Sequence, residues 1–203
     1  LRRESDALPI RHQLGVQSCV AISLVDALSL VGALPANMRG SALFVHHHAR
    51  AMLGQLNRNY GVPPDVAVEA LITHGVCSDA DFPDSLNTFR ASPNIEIKKT
   101  AIIPTCCFET LKAQPDPLRL ALREGHPVMI CLRLSTKIMR AFSDGSIAAT
   151  GQMPPPALET GPANHAVLCV GYDAQMDSYL CRNSLGPDWG DQGYMHLPSC
   201  WLT

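Results

Sequence analysis

Residues 166–182 read Ala166-Val167-Leu168-Cys169-Val170-Gly171-Tyr172, Asp173-Ala174-Gln175-Met176-Asp177, Ser178-Tyr179-Leu180-Cys181-Arg182. Two apolar runs flank a polar turn, which predicts two strands joined through residues 173–177. Upstream, Pro127-Val128-Met129-Ile130-Cys131-Leu132-Arg133-Leu134 predicts another buried strand. A short helix over residues 116–123, closed by Gly125, precedes it. The first half of the chain reads differently. Ser18, a favoured N-cap residue, stands before an apolar run over residues 19–28, which predicts a buried helix ending near Gly32. Further helices are predicted from Ser41 to about Leu53 and from Val66 to His74, the latter after Pro63-Pro64-Asp65 and before Gly75. The first dozen residues read as extended, with Pro9 blocking early helix, and the Pro-rich residues 152–156 read as a loop. Helices first and strands second predict an α+β fold in one domain over residues 1–203. Its helical lobe spans about 11–105 and its β-rich lobe about 106–203, and a cleft between such lobes is the expected place for a site.

Composition narrows the function. The 203 residues are 46% hydrophobic and 17% charged, enough to bury a core, and the formal net charge is −2. No clustered basic face marks a nucleic-acid or anionic-membrane partner. No apolar run reaches the roughly 18 residues of a membrane-spanning helix. Eight cysteines include one adjacent pair, Cys106-Cys107, and no C-x-x-C spacing, so no zinc framework is expected. His46-His47-His48 cannot share one ion, because successive helical residues point about 100° apart. No metal or cofactor is expected. Thiol chemistry with one unpaired cysteine favours a reducing compartment. The chain opens Leu1-Arg2-Arg3-Glu4 without an initiator methionine, so a processed product or fragment is expected, with any pro-segment lying outside it.

Four residues could carry chemistry together. Cys19 falls in the first turn of a predicted buried helix, where the helix dipole favours a thiolate. His165 stands at the mouth of a predicted strand and could exchange a proton with such a thiol. Asn183 follows the next strand, where its amide oxygen could accept an imidazole N–H and fix the tautomer. Gln13, six residues before Cys19, could join the Cys19 backbone N–H in binding an oxyanion.

The set resembles the papain-like cysteine proteases. Gln13-Leu14-Gly15-Val16-Gln17-Ser18-Cys19-Val20-Ala21 is similar to that family's nucleophile segment. Gly161-Pro162-Ala163-Asn164-His165-Ala166-Val167 resembles its histidine segment. Arg182-Asn183-Ser184-Leu185-Gly186-Pro187-Asp188-Trp189-Gly190-Asp191-Gln192-Gly193-Tyr194 resembles its Asn-Ser-Trp-Gly segment, the most specific of the three. Residues 41–54 and 65–83 resemble the connecting helices of bacterial-type members. The resemblance implies a papain-like fold, with a helical left lobe, a β-barrel-like right lobe and the active-site cleft between them. It also implies a cysteine endopeptidase working through an acyl-enzyme, with Gln13, Cys19, His165 and Asn183 as catalytic residues. A protein or peptide substrate follows, with a pro-segment or protein inhibitor as a further expected partner. A cytoplasmic bacterial enzyme or an exported effector is the expected setting. His165 lies within the family's spacing of about 130–150 residues beyond the cysteine. Asn183 overshoots it, which a longer hairpin between Tyr172 and Tyr179 would explain.

The departures are specific. Val20 and Leu185 replace two family tryptophans, and Val16 replaces a cysteine of the family's usual disulfide. Gly61 alone stands for the paired glycines of the substrate cleft. Gly61, Val20, Asn164, Leu185 and Trp189 are the expected substrate-binding residues, while Asp188 and Asp191 read as solvated. Two other readings stay open: another acyl transfer (deamidase, isopeptidase or transpeptidase), and an inactive papain-like binding module.

Overall fold

A computed structural model describes residues 8–143, 147–156 and 162–202. The first seven residues of the expected extended start, and Gly161 of the histidine segment, lie outside the described residues. The fold is α+β, and the chain divides into two compact units. One is Gln13–Phe108. The other runs from Glu109 onward and includes the described N-terminal residues 8–12.

The first unit is helical. Helix α1 (Cys19–Leu30) is buried on nearly every face, as apolar residues on several faces require, and it takes Ser23 and Asp26 into the interior with them. Ser18 occupies the N-cap position, but its side chain makes no capping bond, contrary to expectation. Its φ of −102° and ψ of 12° place it outside the extended backbone of an ordinary N-cap. Helix α2 (Ala42–Met52) is capped, with Ser41 Oγ accepting from Phe44 N–H at 3.0 Å. It is buried from Ala42 through Arg50 and packs against both α1 and α3 (Pro64–His74). Pro64 opens α3, where a missing N–H costs nothing. Gly75 closes it at φ +73°, and no other residue fits there, because a Cβ would lie 2.6 Å from the Ile102 carbonyl oxygen. Two short helices that the sequence pattern does not announce follow, α4 (Leu86–Phe89) and α5 (Ile95–Thr100), started by Ser85 and Asn94 caps.

The second unit is built on a four-stranded antiparallel sheet in the order β1-β2-β3-β4. Helix α6 (Pro115–Arg123) precedes β1 (Val128–Leu132), and helix α7 (Thr136–Ala141) follows it. Strands β2 (His165–Asp173) and β3 (Ser178–Arg182) form the expected hairpin. Its turn takes residues 174–177. Strand β4 (Tyr194–Pro198), whose sequence merges with the motif around Asn183, completes the sheet and leads into a 3-10 turn, Ser199–Leu202. The core of this unit joins Ile130, Leu132, Val167, Tyr179, Met195 and Leu197 to Phe142 and Trp189. No helix among the described residues is long and apolar enough to cross a membrane.

Candidate active site

In the helical unit, the chain reaches Cys19 through a tight turn. Val16 N–H donates to Gln13 O at 2.8 Å, and the two central residues, Leu14 and Gly15, have φ of +50° and +76°. That pair of positive φ values is the signature of a type I′ turn. A leucine in the left-handed region is uncommon and strained, and such strain is found where geometry is being held for a purpose. Asn59 clamps the loop from outside: its Nδ2 donates to Gly15 O and its Oδ1 accepts from Gln17 N–H, both at 2.9 Å. Gly61 follows this clamp, exposed, with only Gln17 O within 4 Å of the position a Cβ would take. Cys19 is then the first residue of α1 and 5% exposed, while Val20 turns into the helical core.

In the β-rich unit, His165 is the first residue of β2, paired with Leu132 across the ladder. Asn164 braces this corner by donating its amide to Leu134 O at 2.8 Å and accepting from Leu134 N–H at 2.9 Å. With one bond donated and one accepted, the Asn164 side chain braces the start of β2 while the residue itself stays exposed. His165 Nε2 and Asn183 Oδ1 lie 2.8 Å apart, and both residues are buried. The same oxygen accepts from Ser184 N–H at 2.8 Å, which fixes the orientation of the amide. An amide oxygen can only accept, so Nε2 carries the proton and Nδ1 is the basic nitrogen of the neutral ring. Burial lowers the His165 pKa from its ordinary value, and the bond to Asn183 opposes that shift.

Two supports of this pair escape a reading of local sequence. The Phe142 ring stands edge-on to His165, centroids 5.7 Å apart, and Trp189 stands edge-on to Phe142 at 5.1 Å. Trp189 Nε1 donates to Phe142 O at 2.9 Å. Trp189 is therefore a core residue that holds Phe142 against the imidazole. Leu185 packs at the edge of the same core. The second support is the N-terminal segment. Arg182, 2% exposed, donates to Leu8 O at 2.9 Å, Pro9 O at 3.2 Å and the Tyr194 hydroxyl at 3.2 Å. Gly186 N–H donates to Arg11 O at 3.0 Å, and His12 bridges to Leu185. The loop bearing Asn183 is thus strapped on both sides by residues 8–12. Arg182 adjoins the motif, so a buried cation there was a signal the sequence offered, but its partners lie far away in the chain.

Other expectations change as well. Asp191 is half-buried and pairs with His196 Nε2 at 3.0 Å, so it is not simply solvated, whereas Asp188 is exposed. Cys106 is half-buried and Cys107 exposed, both as thiols. Among the described residues no group of three His, Cys, Asp or Glu side chains could hold a metal ion.

Comparison with known proteins gives one family. The family model "Papain family cysteine protease" matches residues 2–199. Falcipain-3 of Plasmodium falciparum is 26% identical over 220 residues, covering 97% of this chain and 39% of that protein. Xylellain, a cysteine protease from Xylella fastidiosa, superimposes with a TM-score of 0.79 at 21% identity, over 96% of this chain and 78% of that one. Digestive procathepsin L 3 from the larval midgut of Tenebrio molitor superimposes at 0.72 with 16% identity, over 96% and 64%. The chain spans 39% to 61% of the length of the first three curated relatives it matches.

Proposed function

Because the chain belongs to the papain family of cysteine proteases, we propose that it hydrolyses peptide bonds through an acyl-enzyme on Cys19. The observation that carries this reading is the buried His165–Asn183 bond, with the amide oxygen oriented by Ser184 N–H. A binding module has no use for an imidazole whose tautomer is held so firmly. In the reaction, the Cys19 thiol gives its proton to His165 Nδ1, and the thiolate attacks the peptide carbonyl carbon. The Gln13 side-chain amide and the Cys19 backbone N–H stabilise the oxyanion. His165 gives its proton to the leaving amine, then as a neutral base draws one from water, which releases the acyl group. Asn183 holds the ring so that Nδ1 exchanges these protons. The strained turn at Leu14 and the Asn59 clamp hold the backbone around Gln13, and Gly61 leaves open backbone beside Gln17 where an extended peptide can lie.

The bacterial-type assignment is part of the proposal. It rests on the connecting helices of the first unit and on the likeness to Xylellain. A pro-segment is the proposed regulatory partner, as in the proform from Tenebrio.

Wild type and Cys19→Ser, each incubated under reducing conditions with a denatured whole-cell protein mixture, test the reading by sequencing of new N-termini. New termini with wild type alone are expected. Their absence with folded wild type would overturn proteolysis and favour a deamidase, isopeptidase or transpeptidase, or a binding module.

A further inference from the structure

Two buried thiols have no part in this chemistry. Cys169 on β2 and Cys181 on β3 are direct register partners, both fully buried and both pointing into the core of the β-rich unit. Directly opposed residues of an antiparallel ladder have Cα atoms about 4.5 or 5.5 Å apart, according to the pair type. Both values fall in the range of roughly 4.4–6.8 Å that a disulfide spans. We propose that Cys169 and Cys181 form a cross-strand disulfide site, closed during folding when the chain meets a small-molecule disulfide oxidant. A Cys169 thiolate attacks the oxidant, forming a mixed disulfide and expelling one thiol. The Cys181 thiolate then attacks the Cys169 sulfur, forming the Sγ–Sγ bond and expelling the second thiol. Two protons leave the cysteines, and two electrons reduce the oxidant to two thiols.

Timing follows from burial. In the native protein the Cys181 thiol is held protonated by desolvation and by its hydrogen bond with Cys169, and no oxidant reaches a fully buried sulfur. The site therefore records the conditions under which the chain folded. Its consequence for activity rests on the proposed function: the bridge ties together the strand that begins with His165 and the strand that ends just before Asn183. Bond formation itself does not depend on that reading.

The test is refolding of the reduced, denatured full chain in oxidised and reduced glutathione, followed by alkylation and non-reducing peptide mapping. A peptide linking Cys169 to Cys181 is expected after refolding, and not after the same buffer is applied to the native reduced protein. The refolded form should also have a higher guanidinium midpoint, lost on reduction and absent in C169V/C181V. Should that variant not fold, C181V alone serves. Native-like refolded protein with both cysteines alkylated, or a midpoint gain that survives in the valine variant, would overturn the proposal. Activity with Cys19 does not enter either readout.

Discussion

Among the described residues, the helical unit buries a run of three histidines, and the β-rich unit buries one, His165. His46, His47 and His48 all lie on the inward length of α2, among Phe44, Phe82 and Phe89. His48 stacks on His74 at 4.0 Å. Neither His46 nitrogen has a hydrogen-bond partner. Both units also bury arginine, and Arg50 and Arg182 are used alike. Arg50 donates to the carbonyls of Leu56, Arg58 and Phe89 at 3.1 Å, as Arg182 does to those of Leu8 and Pro9. A guanidinium can stay charged while crosslinking loop carbonyls, because its fork offers several donors. An imidazole buried without acceptors must stay neutral instead. The two cores therefore differ in how they meet protons.

That difference should be largest in acid. Burial pulls His46 and His48 down to about 3 and His47 to about 4, with Arg50 adding to the effect at His46 and His47. Between these values and 6.5, the unfolded chain binds protons that the folded chain refuses. Stability from these groups is complete above pH 6.5, falls as the pH drops, and is gone below their folded values. At pH 5 each histidine forfeits at most about 2 kcal/mol, less where solvent screens the ring, so the three together take a large share of an ordinary domain's stability of about 5–15 kcal/mol. His165 adds the same sign in the other unit, but singly. Hydrogen exchange followed from pH 7 to pH 4.5 should show residues 13–108 losing protection first. Replacing His46 by leucine, which needs no acceptor, should move that acid transition to lower pH. Equal protection of the two units at pH 5 would break the comparison.

The strap on the Asn183 loop comes next in size. Arg182→Met leaves the Leu8 and Pro9 carbonyls without their donor, at about 1–3 kcal/mol for each group that stays buried. A loss of about 3 kcal/mol in urea is expected on that basis. A lower kcat at little changed KM should accompany it, since Asn183 adjoins the lost anchor. Arg182→Lys should restore part of the stability. An unchanged urea midpoint in Arg182→Met would mean that residues 8–12 do not hold the loop.

The legible parts of this protein were local in sequence. The helices α1, α2 and α3 and the hairpin β2–β3 show in apolar runs, caps and turns, and Gln13, Cys19, His165 and Asn183 stand in motifs of a few residues each. The short helices α4, α5 and α7 bury too little of a periodic face to announce themselves. The supports of the site were hidden for another reason. Phe142 meets His165, and Arg182 meets Leu8, only after the sheet brings together residues far apart in the chain. The packing of Trp189 against Phe142 was hidden in the same way, since the two residues lie 47 positions apart.

The smallest effect is a matched pair within the helical unit. Ser41 and Ser18 stand at equivalent N-cap positions and carry the same side chain, yet only Ser41 caps its helix. Ser41 has the extended ψ of 115° that brings its oxygen over the first turn, whereas Ser18 has ψ near 12°. Ser41→Ala should therefore cost about 1 kcal/mol, and Ser18→Ala only a few tenths. Guanidinium midpoints of the two variants measure the contrast. Equal losses would mean that the Ser18 oxygen reaches an acceptor or donor at the start of α1 after all, and with it that Cys19 sits on a helix end as firmly capped as that of α2.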